Sequence, residues 1–244
     1  MSSFEYLADG LSVSRITCPV MKVLTVNLGR PTPSAHTHAP DGLTGIGKVP
    51  SDGPVRVSDP GPKGSGGSGL TGDAVCDIRH HGGTDQAVYA YAREELDAWE
   101  KELGRPLPNG AFGENLTTLG LTVSQARIGE RWRIGDELLL EVTSGRTPCR
   151  TFAGHLGEPG WVKRFTREGA TGAYLRVLEP GTIRSGDPVE VVHVPGHEIT
   201  AALVFRATTT ERELLPRLLD AGDALHAEAL RAAHAYVAKL GSAV

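Results

Sequence analysis

Val142-Thr143-Ser144-Gly145-Arg146-Thr147-Pro148-Cys149-Arg150 begins as strand-forming sequence, enters a tight turn, and ends with a cysteine between two arginines. Positive neighbours lower a thiol's pKa, and the thiolate is the form that attacks or binds metal. Pro148 stiffens the position of the sulfur. Free cysteines are commonly buried and inert. Guanidinium groups stay charged, however, so burial is costly here and a functional site at a strand end is the better reading.

Outward from this stretch, residues 138–143 are one of a series of short predicted strands, with 74–79, 87–91, 115–118, 130–134, 173–178 and 189–194. Turn residues such as Gly135-Asp136 and Gly181 separate them, a cadence that implies a β-barrel or sandwich. One helix is predicted among them, over 93–103, with Leu96, Trp99 and Leu103 on one face and Gly104-Arg105-Pro106 ending it. Met21 opens an alternating strand, so folded structure is expected to begin there, with residues 1–20 as an extension. Residues 30–69 are rich in Pro, Gly, Ser and Thr and read as a long loop with ordered pieces at 44–50 and 55–57. After His197 the pattern turns helical: 199–207, then a capping box at Thr210–Glu213 opening a helix shortened by Pro216, then 223–240. The expected organisation is an extension (1–20), a β domain (21–196) and a three-helix tail (197–244).

A net charge of −4 gives no basic field for nucleic acid, and no apolar run approaches a membrane span. The first ten residues lack the basic and apolar regions of a secretory signal. Three cysteines without paired spacing suit a reducing cytoplasm, the expected location.

Other candidate residues lie on the same frame. His80-His81-Gly82-Gly83 reads as a turn whose histidines bond or pair with an anionic ligand. On a strand, adjacent side chains point oppositely, so at most one of the two is expected to face a site. No third ligand stands at zinc spacing. Asn115 fixes a loop or reads a ligand, and Lys48 could meet a phosphate. Cys76 shares a predicted strand face with Ala74 and Ile78 and is assigned to the core; Cys18 is incidental.

Taken in order, Gly72-Asp73, His80-His81-Gly82-Gly83-x-Asp85-x-Ala87-Val88-Tyr89-Ala90-Tyr91, Phe112-Gly113-Glu114-Asn115-Leu116 and Arg146-Thr147-Pro148-Cys149 resemble the MOSC domain, named for the C-terminal part of molybdenum cofactor sulfurases. Residues 160–165 and 172–177 and the helical tail are similar to its YiiM-like branch. Ser144-Gly145 stands where that family often has Gln-Pro. The resemblance implies a mainly β, barrel-like fold with a small three-helix appendage. It implies the molybdenum cofactor (molybdopterin), with Cys149 as molybdenum ligand or sulfur carrier. Lys48, His80, His81, Asn115, Arg146 and Arg150 become cofactor-binding candidates. The implied activity is reduction of N-hydroxylated small molecules (hydroxylaminopurine or amidoxime type), with electrons from a separate donor protein and with a homodimer allowed for. Two other readings stand beside it: a sulfur carrier or transferase using a Cys149 persulfide, and a non-catalytic module that binds a cofactor or metabolite.

Overall fold

The computed structural model describes residues 21–242; the expectations for residues 1–20, including Cys18, lie outside them. In chain order the elements are β1 (Lys22–Gly29), β2 (Thr32–Pro33), β3 (Leu43–Thr44), β4 (Lys48–Pro50), β5 (Val55–Val57), β6 (Val88–Ala92), α1 (Arg93–Leu103), β7 (Leu116–Leu119), β8 (Arg131–Ile134) and β9 (Leu138–Ser144). Then come α2 (Arg150–Leu156), α3 (Trp161–Glu168), β10 (Ala173–Glu179), β11 (Gly181–Ile183), β12 (Val189–His193), α4 (Ala201–Thr209), a kinked 3-10 stretch (Arg212–Ala224) and α5 (Ala227–Gly241).

Eight strands form one sheet in the order β12-β8-β9-β10-β6-β7-β1-β4. Only the β6–β7 pair is parallel, and α1 supplies the crossover that a parallel pair needs. The sheet curls until its ends meet. Val189 N–H donates to Met21 O at 2.9 Å, and Val23 N–H donates to Asp187 O at 2.9 Å. These bonds join the start of β1 to the start of β12 and make the sheet barrel-like.

Two apolar clusters fill the molecule. Val23, Leu116, Trp132, Leu140, Val142 and Leu175 lie inside the sheet, and Val204, Leu215 and Leu218 from the C-terminal helices join the same cluster. β9 is buried along its whole length, as a strand covered on both faces is, and its polar members Glu141, Thr143 and Ser144 are buried with the rest. The second cluster is aromatic: Trp99 on α1, Phe112 before β7, Phe152 on α2, and Trp161 and Phe165 on α3. Ring centroids there lie 4.7 Å apart for Trp99–Trp161 and 5.1 Å for Phe112–Phe152, in tilted and edge-on arrangements that favour aromatic contact.

Three expectations are corrected. Residues 74–79 form no strand. Ala74 N–H makes a single bond to Gly29 O at 3.1 Å, and the His80 and His81 amides both turn back to Asp77 O at 3.2 and 3.0 Å, so the backbone closes a turn rather than a ladder. The helices α2 and α3 were not expected; each is short and set among glycines, and each is held by burial of Phe152, Trp161 and Phe165. The capping box at Thr210 does not form. Thr210 instead ends α4, its N–H bonding to Arg206 O, and the neighbouring Glu211 carboxylate is held by Arg206 Nε at 2.6 Å.

Candidate functional site: a thiol in a cationic cavity

β9 ends at Ser144, and the chain turns sharply towards α2. Gly145 sits where a Cβ would come within 2.5 Å of Thr171 Oγ1 and 2.6 Å of Ala201 O, so the close approach of backbone excludes any larger residue. The turn brings Cys149 to the N-cap of α2, where its sulfur accepts the Phe152 N–H at 3.4 Å. Burial by itself pushes the thiol's pKa up. A hydrogen bond from His81, the charge of Arg146 and the Phe152 amide outweigh it and bring the pKa down to about 6.

Arg146 is the buried counterpart of that sulfur, with 7% of its surface exposed. Its guanidinium carbon lies 4.4 Å from the centre of the Phe152 ring and 4.9 Å from that of Tyr89, and Nη1 donates to Phe112 O at 2.5 Å. Burial opposes its charge, but Tyr174, Tyr89 and the Cys149 sulfur hold its pKa above the ordinary arginine value. No carboxylate pairs with it among the described residues. A buried cation without a carboxylate is costly unless an anion reaches it.

Lys48 does have a partner. Its ammonium contacts Asp73 Oδ1, and both side chains are buried. Burial lowers the Lys48 pKa, against the opposing charge and hydrogen bond of Asp73. Asp73 also accepts Gly29 N–H at 2.7 Å and Asn115 Nδ2 at 2.9 Å. Asn115 is used structurally: its amide also approaches Asn27 O at 3.4 Å, and its Oδ1 accepts Tyr89 N–H at 3.1 Å. Its hydrogen bonds tie β1, β6 and Asp73 together and leave no amide hydrogen for a ligand.

These groups surround one cavity of about 300 Å³, which Lys48, His80, His81, Asn115, Arg146, Cys149 and Arg150 all line. That volume lies at the low end of those that hold cofactors and small substrates. Both histidines reach it, against the expectation that only one would, because they sit in a turn rather than on a strand. Gly82 and Gly83 follow with φ of 76° and 82°, and His81 lines the same cavity as the sulfur. His80 and Arg150 are exposed at the mouth, where Arg150 Nη1 lies 3.4 Å from His38 Nε2. Cys76 is corrected as well. It is half-buried on the cavity wall and belongs to neither apolar cluster, because the segment that carries it is irregular.

Sequence reading gave no role to several cavity residues, Asp73, Gln86 and Tyr174 among them. Asp73, noted only within the Gly72-Asp73 segment of the resemblance, is the hub that holds Lys48 and Asn115. Gln86 and Tyr174 also line the wall. Gln86 stands beside the histidine motif, which was the one available signal for it.

Among the described residues no three His, Cys, Asp or Glu side chains converge as a metal cage. A metal held by Cys149 would therefore take most of its ligands from a cofactor. The residues present fit such a group: one acidic thiol offers a soft ligand, and Arg146 offers an anionic arm a buried charge without a carboxylate partner.

Residues 77–190 match the MOSC domain. The chain is 38% identical over 173 residues to the YflK protein of Bacillus subtilis, covering 70% of this chain and 72% of that one. It is 34% identical over 154 residues to a protein of Gibberella moniliformis named reductase, covering 62% of this chain but only 26% of that longer protein. The crystal structure of YiiM from Geobacillus stearothermophilus superposes with a TM-score of 0.69 at 28% identity, over 88% of this chain and 97% of that one. The chain belongs to the MOSC-domain family.

Proposed function

We propose that this protein binds a molybdenum cofactor through Cys149 and reduces N-hydroxylated small molecules of the hydroxylaminopurine or amidoxime type. One observation carries the reading: the Cys149 thiol is lowered to about 6 on the wall of a cavity whose buried Arg146 has no carboxylate partner. In this reading the Cys149 thiolate is the single protein ligand to the metal. Arg146, with the ammonium of Lys48 and the ring of His81, receives the anionic arm of the pterin, while His80 and Arg150 guard the mouth. Asn115 acts through Asp73, which it helps to hold. The cofactor, when bound, would supply the two-electron chemistry, with electrons from a separate donor protein. The chain's own residues place the ligand, keep the thiol ionised and exclude bulk water. The reaction is set in the reducing cytoplasm; among the described residues no helix is long and apolar enough to cross a membrane.

The test is reduction of an amidoxime by cofactor-loaded protein with an artificial electron donor. Wild type and Cys76→Ser are expected to turn over, and Cys149→Ser to lose activity. Full turnover by Cys149→Ser overturns the reading. An acidic, cavity-facing thiol also suits a sulfur carrier. That reading predicts a persulfide on Cys149 by mass spectrometry and sulfur transfer that persists without molybdenum.

A further inference from the structure

Residues 30–44 leave the sheet after β1 and return to it before β4 through one narrow neck. A Cβ on Gly29 would run into the Gly45 carbonyl, and one on Gly45 would run into the Ala74 carbonyl, so the two ends touch each other and the body of the protein. Gly29 N–H is fixed further by Asp73 Oδ1 at 2.7 Å. Between these ends β2 pairs with β3, and Ser34 N–H donates to Gly42 O at 3.0 Å. A compact loop with closed ends is a frequent carrier of function. Thr37, His38, Leu43 and Thr44 of this loop line the cavity that holds Cys149, yet Ala39 is the one buried residue within 30–44.

What holds the tip over the cavity is polar and lies at the surface. Thr151 Oγ1 donates to His36 O at 3.2 Å, Arg79 Nη2 donates to His38 O at 2.7 Å, and Arg150 Nη1 lies 3.4 Å from His38 Nε2. Thr151 and Arg150 belong to the first turn of α2, beside Cys149. Gly154 on the same helix makes room for the tip, since a Cβ there would overlap the His36 ring. Alanine is the better helix former at such a position, so this glycine serves the contact with His36 and not the helix.

We propose that residues 30–44 form a gate over Cys149 that selects by size what reaches the sulfur, latched through His36 and His38. With the latches made, small molecules enter at the mouth. A group of nucleotide size or larger reaches Cys149 only when the tip lifts about its neck. Segments with few buried apolar contacts and exposed backbone hydrogen bonds open locally, well ahead of the whole protein, and this loop has both properties. The inference stands on the shape of the cavity. It holds for a thiol that binds a metal and for one that carries sulfur.

The test compares labelling of Cys149 in metal-free protein by iodoacetamide and by a maleimide carried on a long polyethylene glycol chain. Each rate is read as loss of the unmodified Cys149 peptide by mass spectrometry and divided by the rate on a free cysteine peptide. Arg79→Met removes the bond to His38 O, and Gly154→Ala pushes the His36 ring away while favouring α2 itself. On this relative scale wild type is expected to react at least about tenfold more slowly with the large reagent than with the small one. Each variant is expected to raise the large-reagent rate at least about threefold, as loss of one surface hydrogen bond implies, with the iodoacetamide rate within about twofold of wild type. Equal relative rates in wild type show a mouth without a gate. Unchanged large-reagent rates in the two variants show that these bonds do not hold the tip, and parallel rises with both reagents show that the thiol itself was altered. Each of these results overturns the proposal. No molybdenum enters the measurement, so failure of the reductase reading would leave these rates untouched.

Discussion

The Arg146 guanidinium carbon lies 4.4 Å from the centre of the Phe152 ring, and the amide of that same Phe152 donates to the sulfur of Cys149. One residue thus holds both the cation and the thiol, so the charge that ionises the sulfur is fixed in place. The rate of Cys149 alkylation in metal-free protein should then titrate with a midpoint near 6. Arg146→Met should move it upward by about one unit or more, towards the ordinary thiol value near ~8.5. A wild-type midpoint already in the ordinary range would contradict the electrostatic account.

The same shift has a consequence for stability. The folded-state pKa is depressed, so between it and the ordinary value the unfolded chain binds a proton that the folded chain does not. Stability therefore rises with pH through this window and is lost as pH falls through about 6. The difference in Tm between wild type and Cys149→Ser should shift in favour of wild type from pH 6 to about pH 8.5. A difference that is flat across the window counts against the shift.

Asp73 joins Gly29, Lys48 and Asn115. Asp73→Ala leaves a buried ammonium unpaired and should cost about 3–5 kcal/mol in urea unfolding. Lys48→Met together with Asp73→Ala should recover part of that loss, because it removes the stranded charge. An additive double variant would show that the pair is not coupled.

Cys76 lines the cavity but belongs to neither apolar cluster, so Cys76→Ser should change stability by no more than about 0.5 kcal/mol. Burial raises its thiol pKa, with Asp41 adding to the effect. At neutral pH it should be alkylated well after Cys149, as peptide mapping by mass spectrometry will show. Faster labelling of Cys76 would reverse the assignment of the reactive thiol.

Much of this was legible in sequence because period and punctuation carry it. The spacing of Leu96, Trp99 and Leu103 with Gly104 places α1 correctly, and Gly104 closes it at φ 66°. The Gly135-Asp136 turn and the cadence of short strands place β9 to within one residue. α2 and α3 were hidden because Pro148, Gly157 and Gly160 punctuate them like turns, and only tertiary burial of their aromatic faces makes them helices. Cys76 was misplaced for a related reason: alternation does not distinguish a half-buried strand from a loop lying along a cavity. The histidines, Lys48, Arg146 and Cys149 were found because charge and thiol chemistry announce themselves. Tyr174 and Gln86 were not, since the lining of a cavity by neutral side chains is a property of the fold around them.

The most direct test is the molybdenum and pterin content of protein purified from a host that makes the cofactor. Wild type is expected to carry close to one molybdenum and one pterin per chain, with Cys76→Ser matching it. Cys149→Ser is expected to lose the metal, since a hydroxyl is a harder and far less acidic ligand. Wild type purified without molybdenum or pterin, or Cys149→Ser retaining the full complement of both, would contradict the claim that Cys149 is the ligand.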